Sequence, residues 1–317
     1  MPSAASFLNS QFFVNLPYPT KRFTSQTIIV TGSNIRMGLE AARHFVRLDA
    51  AKVILAVRSI AKGETTKKSI EESEKLLGVV KVWESDLANY DYMLAFAARA
   101  RMLERLDVVV ANRGRDELTI TVNVASTMLL AMLLVPKLRE SAVNFGTVPV
   151  LTFTGSFTHA QTKFPERETT RIFERLADEK IARMNDRYQV LKLIQLFCVR
   201  ELANEVSKCI KQELIIISTI NPGFVDTSIM REAGFMYSLF VSALKKLMSR
   251  TAEEGGRTLV SAAEGREETH GQYLDNYQVG EVSVFVRSDE GLETQKRIWA
   301  ELSAKLEEIQ PGVMSDI

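Results

Sequence analysis

Thr27-Ile28-Ile29-Val30-Thr31-Gly32-Ser33-Asn34-Ile35-Arg36-Met37-Gly38 carries three kinds of local structure in one unbroken run. Thr27 to Thr31 is β-branched throughout, the mark of a strand buried on both faces. Two glycines then bracket a turn. Beyond the turn, Met37, Ala41, Phe45 and Leu48 recur at helical spacing, which predicts a helix over 37–48. A glycine turn between a first strand and a helix aims the helix N-terminus at an anion, as in a dinucleotide pyrophosphate site.

The same alternation continues outward. Further strands are expected at 52–57, 79–84, 106–111, 148–153, 214–220 and 281–286. Helices are expected at 61–77, 90–103, 118–139 (with Pro136 near its end), 186–208 and 294–309. Strands alternating with helices make a parallel sheet covered on both faces, and right-handed crossovers make it doubly wound. The expected class is therefore α/β, a Rossmann-type doubly wound parallel sheet of about seven strands with helices on both faces. Residues 1–26 read as an N-terminal arm packed on the body and 27–317 as a single domain. One stretch breaks the rhythm. Residues 157–187 form an insertion between the fifth strand and its helix, with an extra helix expected at 169–184. Long connections of this kind are uncommon and often functional.

Composition narrows the class further. The 317 residues are 46% hydrophobic and 25% charged, with a net charge of +1. That is ordinary globular composition, without the basic footprint of a nucleic-acid binder. Cys198 and Cys209 are too few for a disulfide framework and read as reduced, buried thiols. No apolar run is long enough to span a membrane and no targeting segment stands out, so a cytoplasmic protein is expected. His44, His159 and His270 have no metal-ligand spacing, and no metal is expected. His159 follows Ser156 closely, which offers a substrate contact, but a plain loop histidine is the preferred reading; Trp83 and Trp299 read as packing residues.

The end of the second strand carries Val57-Arg58-Ser59, with no acid to hold the ribose 2′-OH of NAD. Arg58 suits the 2′-phosphate of NADP by charge and forked hydrogen bonds. With this turn and these strand ends in place, the chain resembles the short-chain dehydrogenase/reductase family. The family fingerprint, Thr-Gly-x-x-x-Gly-x-Gly, falls on Thr31 to Gly38, with Arg36 in place of the middle glycine. Residues 17–26 and 287–312 resemble a fungal branch of that family. The resemblance implies cofactor contacts from Gly32, Ser33, Asn34, Arg36, Met37 and Gly38, and an adenine contact from Asp86 and Leu87. Arg36 either crowds the pyrophosphate or swings out and pairs with it. Asn112-Arg113-Gly114 stands where the family has Asn-Ala-Gly, a turn whose Asn112 lines the cofactor, and 112–123 is shorter than usual there. Tyr188 and Lys192 are implied as cofactor contacts too, with Lys192 on the nicotinamide ribose.

The resemblance also implies the catalytic set. Tyr188 and Lys192 form the family's Tyr-x-x-x-Lys, and that spacing puts both side chains on one helix face. A free tyrosine titrates near about 10, and a neighbouring ammonium favours its phenolate. Ser156 matches the serine that orients a carbonyl, and Asn123 the asparagine of the proton relay. Pro222, Gly223, Val225 and Thr227 match the turn beside the nicotinamide, while residues 224–250, with an apolar helix at 233–248, match a substrate lid.

These readings lead to an NADPH-dependent oxidoreductase, a carbonyl reductase or alcohol dehydrogenase. Its substrate is expected to be a small hydrophobic molecule of fungal secondary metabolism. The alternative keeps the fold but, because of Arg36 and Arg113, makes it a redox-neutral isomerase or cyclase, or a non-catalytic binding protein. Family members often dimerise through the helices that carry Asn123 and Tyr188, so the resemblance implies a homodimer, although an apolar helix is equally a core helix.

Overall fold

Alternation along each strand sorts the core into two layers. The computed structural model describes residues 10–11, 13–112, 121–178, 186–208, 213–225, 249–315 and 317, with the backbone alone at 121–123. Its first half runs β1 (Thr27–Thr31), α1 (Arg36–Arg47), β2 (Lys52–Val57), α2 (Ile60–Glu74), β3 (Val80–Glu84), α3 (Tyr90–Arg101) and β4 (Val108–Ala111). A π-helical turn, Thr121–Ser126, leads into α4 (Thr127–Phe145) and β5 (Val150–Thr154). Then come α5 (Ile172–Ala177), α6 (Arg187–Lys208), β6 (Ile216–Asn221), α7 (Ala252–Ala262), β7 (Tyr273–Asp275), β8 (Gln278–Val279), α8 (Val284–Arg287) and α9 (Asp289–Ile309).

Ile28, Val30, Val53, Leu55, Val108 and Val110 face one layer with Phe45 of α1, Ile70 of α2 and Leu259 of α7. Their neighbours Ile29, Ile54, Val109 and Leu151 face the other, against α3, α4, α6 and α9. Each fully buried aliphatic side chain contributes about 1.5–3 kcal/mol of apolar transfer, so both faces must be covered.

The sheet order is β3-β2-β1-β4-β5-β6-β7-β8. Every pairing is parallel except β7 with β8. The winding reverses between β1 and β4, where doubly wound sheets open a crevice at their carboxyl ends. Helix α7 reaches α1 unusually closely. A Cβ on Gly256 would lie 2.9 Å from the Ala41 nitrogen, so only glycine fits there.

Three expectations change. The strand expected at 281–286 is a helix instead: Ser283 accepts from Val286 N and caps α8. An N-cap side chain satisfies helical amides that a strand would pair elsewhere. The seventh strand is Tyr273–Asp275, set by pairing with Thr219–Asn221, and left-handed Asn276 and Tyr277 (φ 49° and 68°) turn it into β8. Two successive positive φ angles suit the tight hairpin. Helix α4 runs past its expected end through Pro136 to Phe145. Fourteen of its first sixteen residues are buried, and packing outweighs the lost hydrogen bond. Among the described residues the inserted helix spans Ile172–Ala177; residues 179–185 lie outside the described part.

Cys198 is fully buried, and burial pushes its thiol well above its ordinary value. Cys209 lies outside the described residues. Trp83 is buried against Phe96, with Arg99 over its ring. No described helix is long and apolar enough to cross a membrane. Helix α9 lies along α6, where Gln295 donates to Glu201.

Candidate active site

The glycine turn is stitched to the neighbouring strand ends. Thr31 Oγ1 donates to the Asn112 carbonyl at 2.6 Å. The Asn112 amide donates back to the Thr31 and Gly32 carbonyls, both at 3.3 Å. Thr154, at the end of β5, donates to Asn112 Oδ1 at 3.2 Å. Asn112 thus joins β1, β4 and β5 at the mouth of the crevice. A Cβ on Gly38 would lie 2.5 Å from the Gly32 carbonyl and 2.6 Å from Asn112 Nδ2, so this approach requires glycine.

Arg36 has φ 51°, the left-handed conformation that favours glycine. The turn therefore keeps its glycine-type backbone with an arginine in it. Ser33 is fully buried, and its hydroxyl has no hydrogen-bond partner among the described residues. Ile35, the N-cap of α1, makes no side-chain capping bond. A buried hydroxyl lacking a partner beside uncapped helical amides fits an anionic cofactor. The Asn34 carbonyl accepts from Thr66 of α2.

Arg58 is exposed just beyond β2, and Ser59 caps α2 by accepting from Lys62 N. Asp86 is half-buried and accepts from Ala88 N at 3.0 Å. Leu87 lines a small cavity with Thr31, Ala111 and Thr127, with room for about one water.

The catalytic candidates gather at the end of β5. Lys192 Nζ donates to the Thr154 carbonyl at 2.6 Å and to Gln195 Oε1 at 2.9 Å. It stands 5.9 Å from the centroid of the Tyr188 ring. Ser156 is two residues beyond Thr154 and caps the 3-10 turn Phe157–Gln161. Its hydroxyl accepts from Thr158 N at 3.3 Å and from the Thr158 hydroxyl at 2.9 Å. The histidine of the same turn faces inward. His159 is 2% exposed, bonds the Ser156 carbonyl through Nδ1 at 2.8 Å and meets the Tyr273 ring. Burial holds its imidazole below its ordinary value. It is a core histidine, not an open loop residue.

Asn221 ties this region to the next turn. Its Oδ1 accepts from Phe157 N at 3.3 Å and Gly223 N at 3.2 Å, and its amide donates to Asp275 at 3.0 Å. Burial pushes the Asp275 carboxyl up. Pro222 is buried and its carbonyl accepts from Arg250 at 3.2 Å. Val225 pairs with Arg250 in a β-bridge. Val225 and Met37 pack together over Gly255, where a Cβ would lie 2.7 to 2.8 Å from both side chains.

The Asn123 side chain, Arg113, Gly114, Thr227 and residues 226–248 of the expected lid lie outside the described residues. Among the described residues no group of three or more His, Cys, Asp or Glu could hold a metal. Sequence reasoning missed Gln195, Arg250 and Asp275. Only Gln195 had a local signal, its i,i+3 spacing from Lys192.

Residues 26–144 match the family described as short chain dehydrogenase. A short chain dehydrogenase/reductase of Cryptosporiopsis sp. is 41% identical, over 98% of this chain and 99% of its own length. A short chain dehydrogenase of Emericella nidulans is 45% identical, over 86% of this chain and 90% of its own. Among solved structures, the L-sorbose reductase of Gluconobacter frateurii complexed with NADPH and L-sorbose has a TM-score of 0.62 at 17% identity, covering 83% of this chain and 100% of that one. The Pseudomonas aeruginosa RhlG/NADP complex has a TM-score of 0.60 at 18% identity, covering 80% and 95%. Likeness at that identity is one of fold.

Proposed function

This chain belongs to the short-chain dehydrogenase/reductase family, and from that premise we propose that it is an NADPH-dependent carbonyl reductase, or the reverse alcohol dehydrogenase. The substrate we propose is a small hydrophobic molecule of fungal secondary metabolism, in keeping with the fungal relatives. The observation that carries the reading is Lys192, anchored to the end of β5 and set beside the Tyr188 ring.

When bound, NADPH would supply a hydride for the substrate carbonyl. Tyr188 gives its phenolic proton to the carbonyl oxygen. The Lys192 ammonium steadies the phenolate that remains, because an adjacent opposite charge favours the ionised form. Ser156 accepts from both the amide and the hydroxyl of Thr158, so its own O–H is left to donate to the carbonyl oxygen. The residues that would hold the cofactor are Gly32, Ser33, Asn34, Arg36 and Gly38 at the pyrophosphate. Arg58 takes the 2′-phosphate, Asp86 and Leu87 the adenine, and Pro222 and Gly223 the nicotinamide side. Met37 and Val225 support that site by packing over Gly255.

The left-handed backbone at Arg36 favours this reading over a redox-neutral or binding role, since the turn's shape is retained. Calorimetric titration with NADPH and NADH, followed by NADPH turnover on a panel of ketones, tests it. Micromolar NADPH binding and loss of turnover in Tyr188→Phe are expected. Full turnover in that variant refutes the mechanism.

A further inference from the structure

The turn that ends β6 is held from the far end of the chain. Phe224 N donates to Gln11 Oε1 at 3.3 Å, across 213 positions of sequence. Beside it lies Arg250, only 5% exposed. One arm of its guanidinium donates to the Pro222 carbonyl at 3.2 Å. The other donates to the Ser10 carbonyl at 2.9 Å, the Ser10 hydroxyl at 3.3 Å and Asn276 Oδ1 at 2.6 Å. Asn276 in turn donates to the Ser10 hydroxyl at 2.8 Å. The backbone joins the same cluster, with Arg250 N bonded to the Phe224 carbonyl at 2.8 Å.

A buried guanidinium is tolerated only where its donors find acceptors. The arm supplies two of those acceptors through Ser10 and a further one, through Gln11, to the turn itself. These contacts are polar and directional, and they converge on Pro222, Gly223 and Phe224. We propose that Ser10 and Gln11 form a strap that fixes this turn, with Gln11 a positioning residue for the nicotinamide side of the cofactor site. The consequence for cofactor binding rests on the function proposed above; the strap itself does not.

The test uses the full chain, native and as Gln11→Ala and Gln11→Glu. Peptide-resolved hydrogen exchange without cofactor reads the Phe224 amide, and calorimetry with NADPH reads the site. In Gln11→Ala the amide should exchange about three- to tenfold faster, the range of one lost neutral hydrogen bond, and NADPH affinity should fall by a similar factor. Gln11→Glu keeps the acceptor oxygen and should follow the native protein in both readings, while peptides of β1 should be unaffected in either variant. Unchanged exchange at Phe224 in Gln11→Ala overturns the strap. So does a Gln11→Glu variant that behaves like Gln11→Ala. Faster exchange with unaltered NADPH affinity overturns the positioning role. A native protein that binds neither NADPH nor NADH overturns the oxidoreductase reading and that role with it, while the exchange result still judges the strap.

Discussion

Lys192 Nζ stands 5.9 Å from the centroid of the Tyr188 ring, held there by the Thr154 carbonyl on the neighbouring strand. The two residues share a helix face, yet the lysine is aimed by the sheet. Its position therefore depends on the register of β5 against α6 as much as on the helix.

Removing the charge should stop proton transfer while leaving the fold. Lys192→Met is expected to lower kcat by at least about a hundredfold, the lower range for a group acting in acid–base catalysis. Gln195→Ala removes one of the two acceptors that fix the ammonium and should cost about three- to tenfold. Steady-state kinetics with NADPH and a turned-over ketone measure both. A larger loss in Gln195→Ala than in Lys192→Met contradicts this ordering.

Arg58 sits exposed beyond β2, where charge and hydrogen bonding to a 2′-phosphate are available without burial cost. Arg58→Ala should weaken NADPH about ten- to hundredfold, the value of hydrogen bonds to a charged group, and leave NADH affinity nearly unchanged. Equal losses for both cofactors in a titration would show that Arg58 does not read the phosphate.

Arg36 holds φ 51° at a cost that glycine does not meet. Arg36→Gly is expected to raise stability by up to about 1 kcal/mol, with the greater chain entropy of glycine taking part of the gain. Arg36→Ala keeps the Cβ and should show no such gain. Urea midpoints of the two variants decide the matter, and equal midpoints refute strain at this position.

His44 is almost fully buried between α1 and α7, and burial, then the Arg47 charge, lower its pKa to about 4 against the pull of Glu253. Arg257 lies on the same side, and Tyr18 of the arm meets the imidazole edge-on. The folded value is below the unfolded one, so between pH 4 and 6.5 the unfolded chain binds more protons. Stability is complete above about pH 6.5 and is lost as pH falls toward 4, by up to about 3 kcal/mol. Glu253 is also held low: burial opposes this, but its bond and charge contact with Arg257 outweigh it. Its own contribution is complete above the ordinary carboxylate value and is lost as pH falls through that value and below it. His44→Gln should flatten the pH dependence of the urea midpoint across that window, and an unaltered slope counts against the assignment.

Residue types and spacings by themselves determined the alternating elements, the switch between layers, the glycine turn and the Tyr188–Lys192 pair. These are local: β-branched runs make buried strands, and four residues make one helical turn. Other features have no local cause. Tyr273–Asp275 is too short to show a period and is a strand only because β6 offers an edge, whereas 281–286 reads as a strand by composition and is a helix because Ser283 caps it. The burial of His159 follows from Tyr273 closing over it. That position 36 holds a glycine in the family fingerprint hints at its left-handed backbone, but only the structure shows that the arginine keeps it. Nor could spacing reveal that Arg250 meets Ser10, 240 positions away. Such a contact exists only when the winding of the sheet brings segments distant in sequence to one edge, and the desolvated guanidinium then requires acceptors from whichever segment lies there.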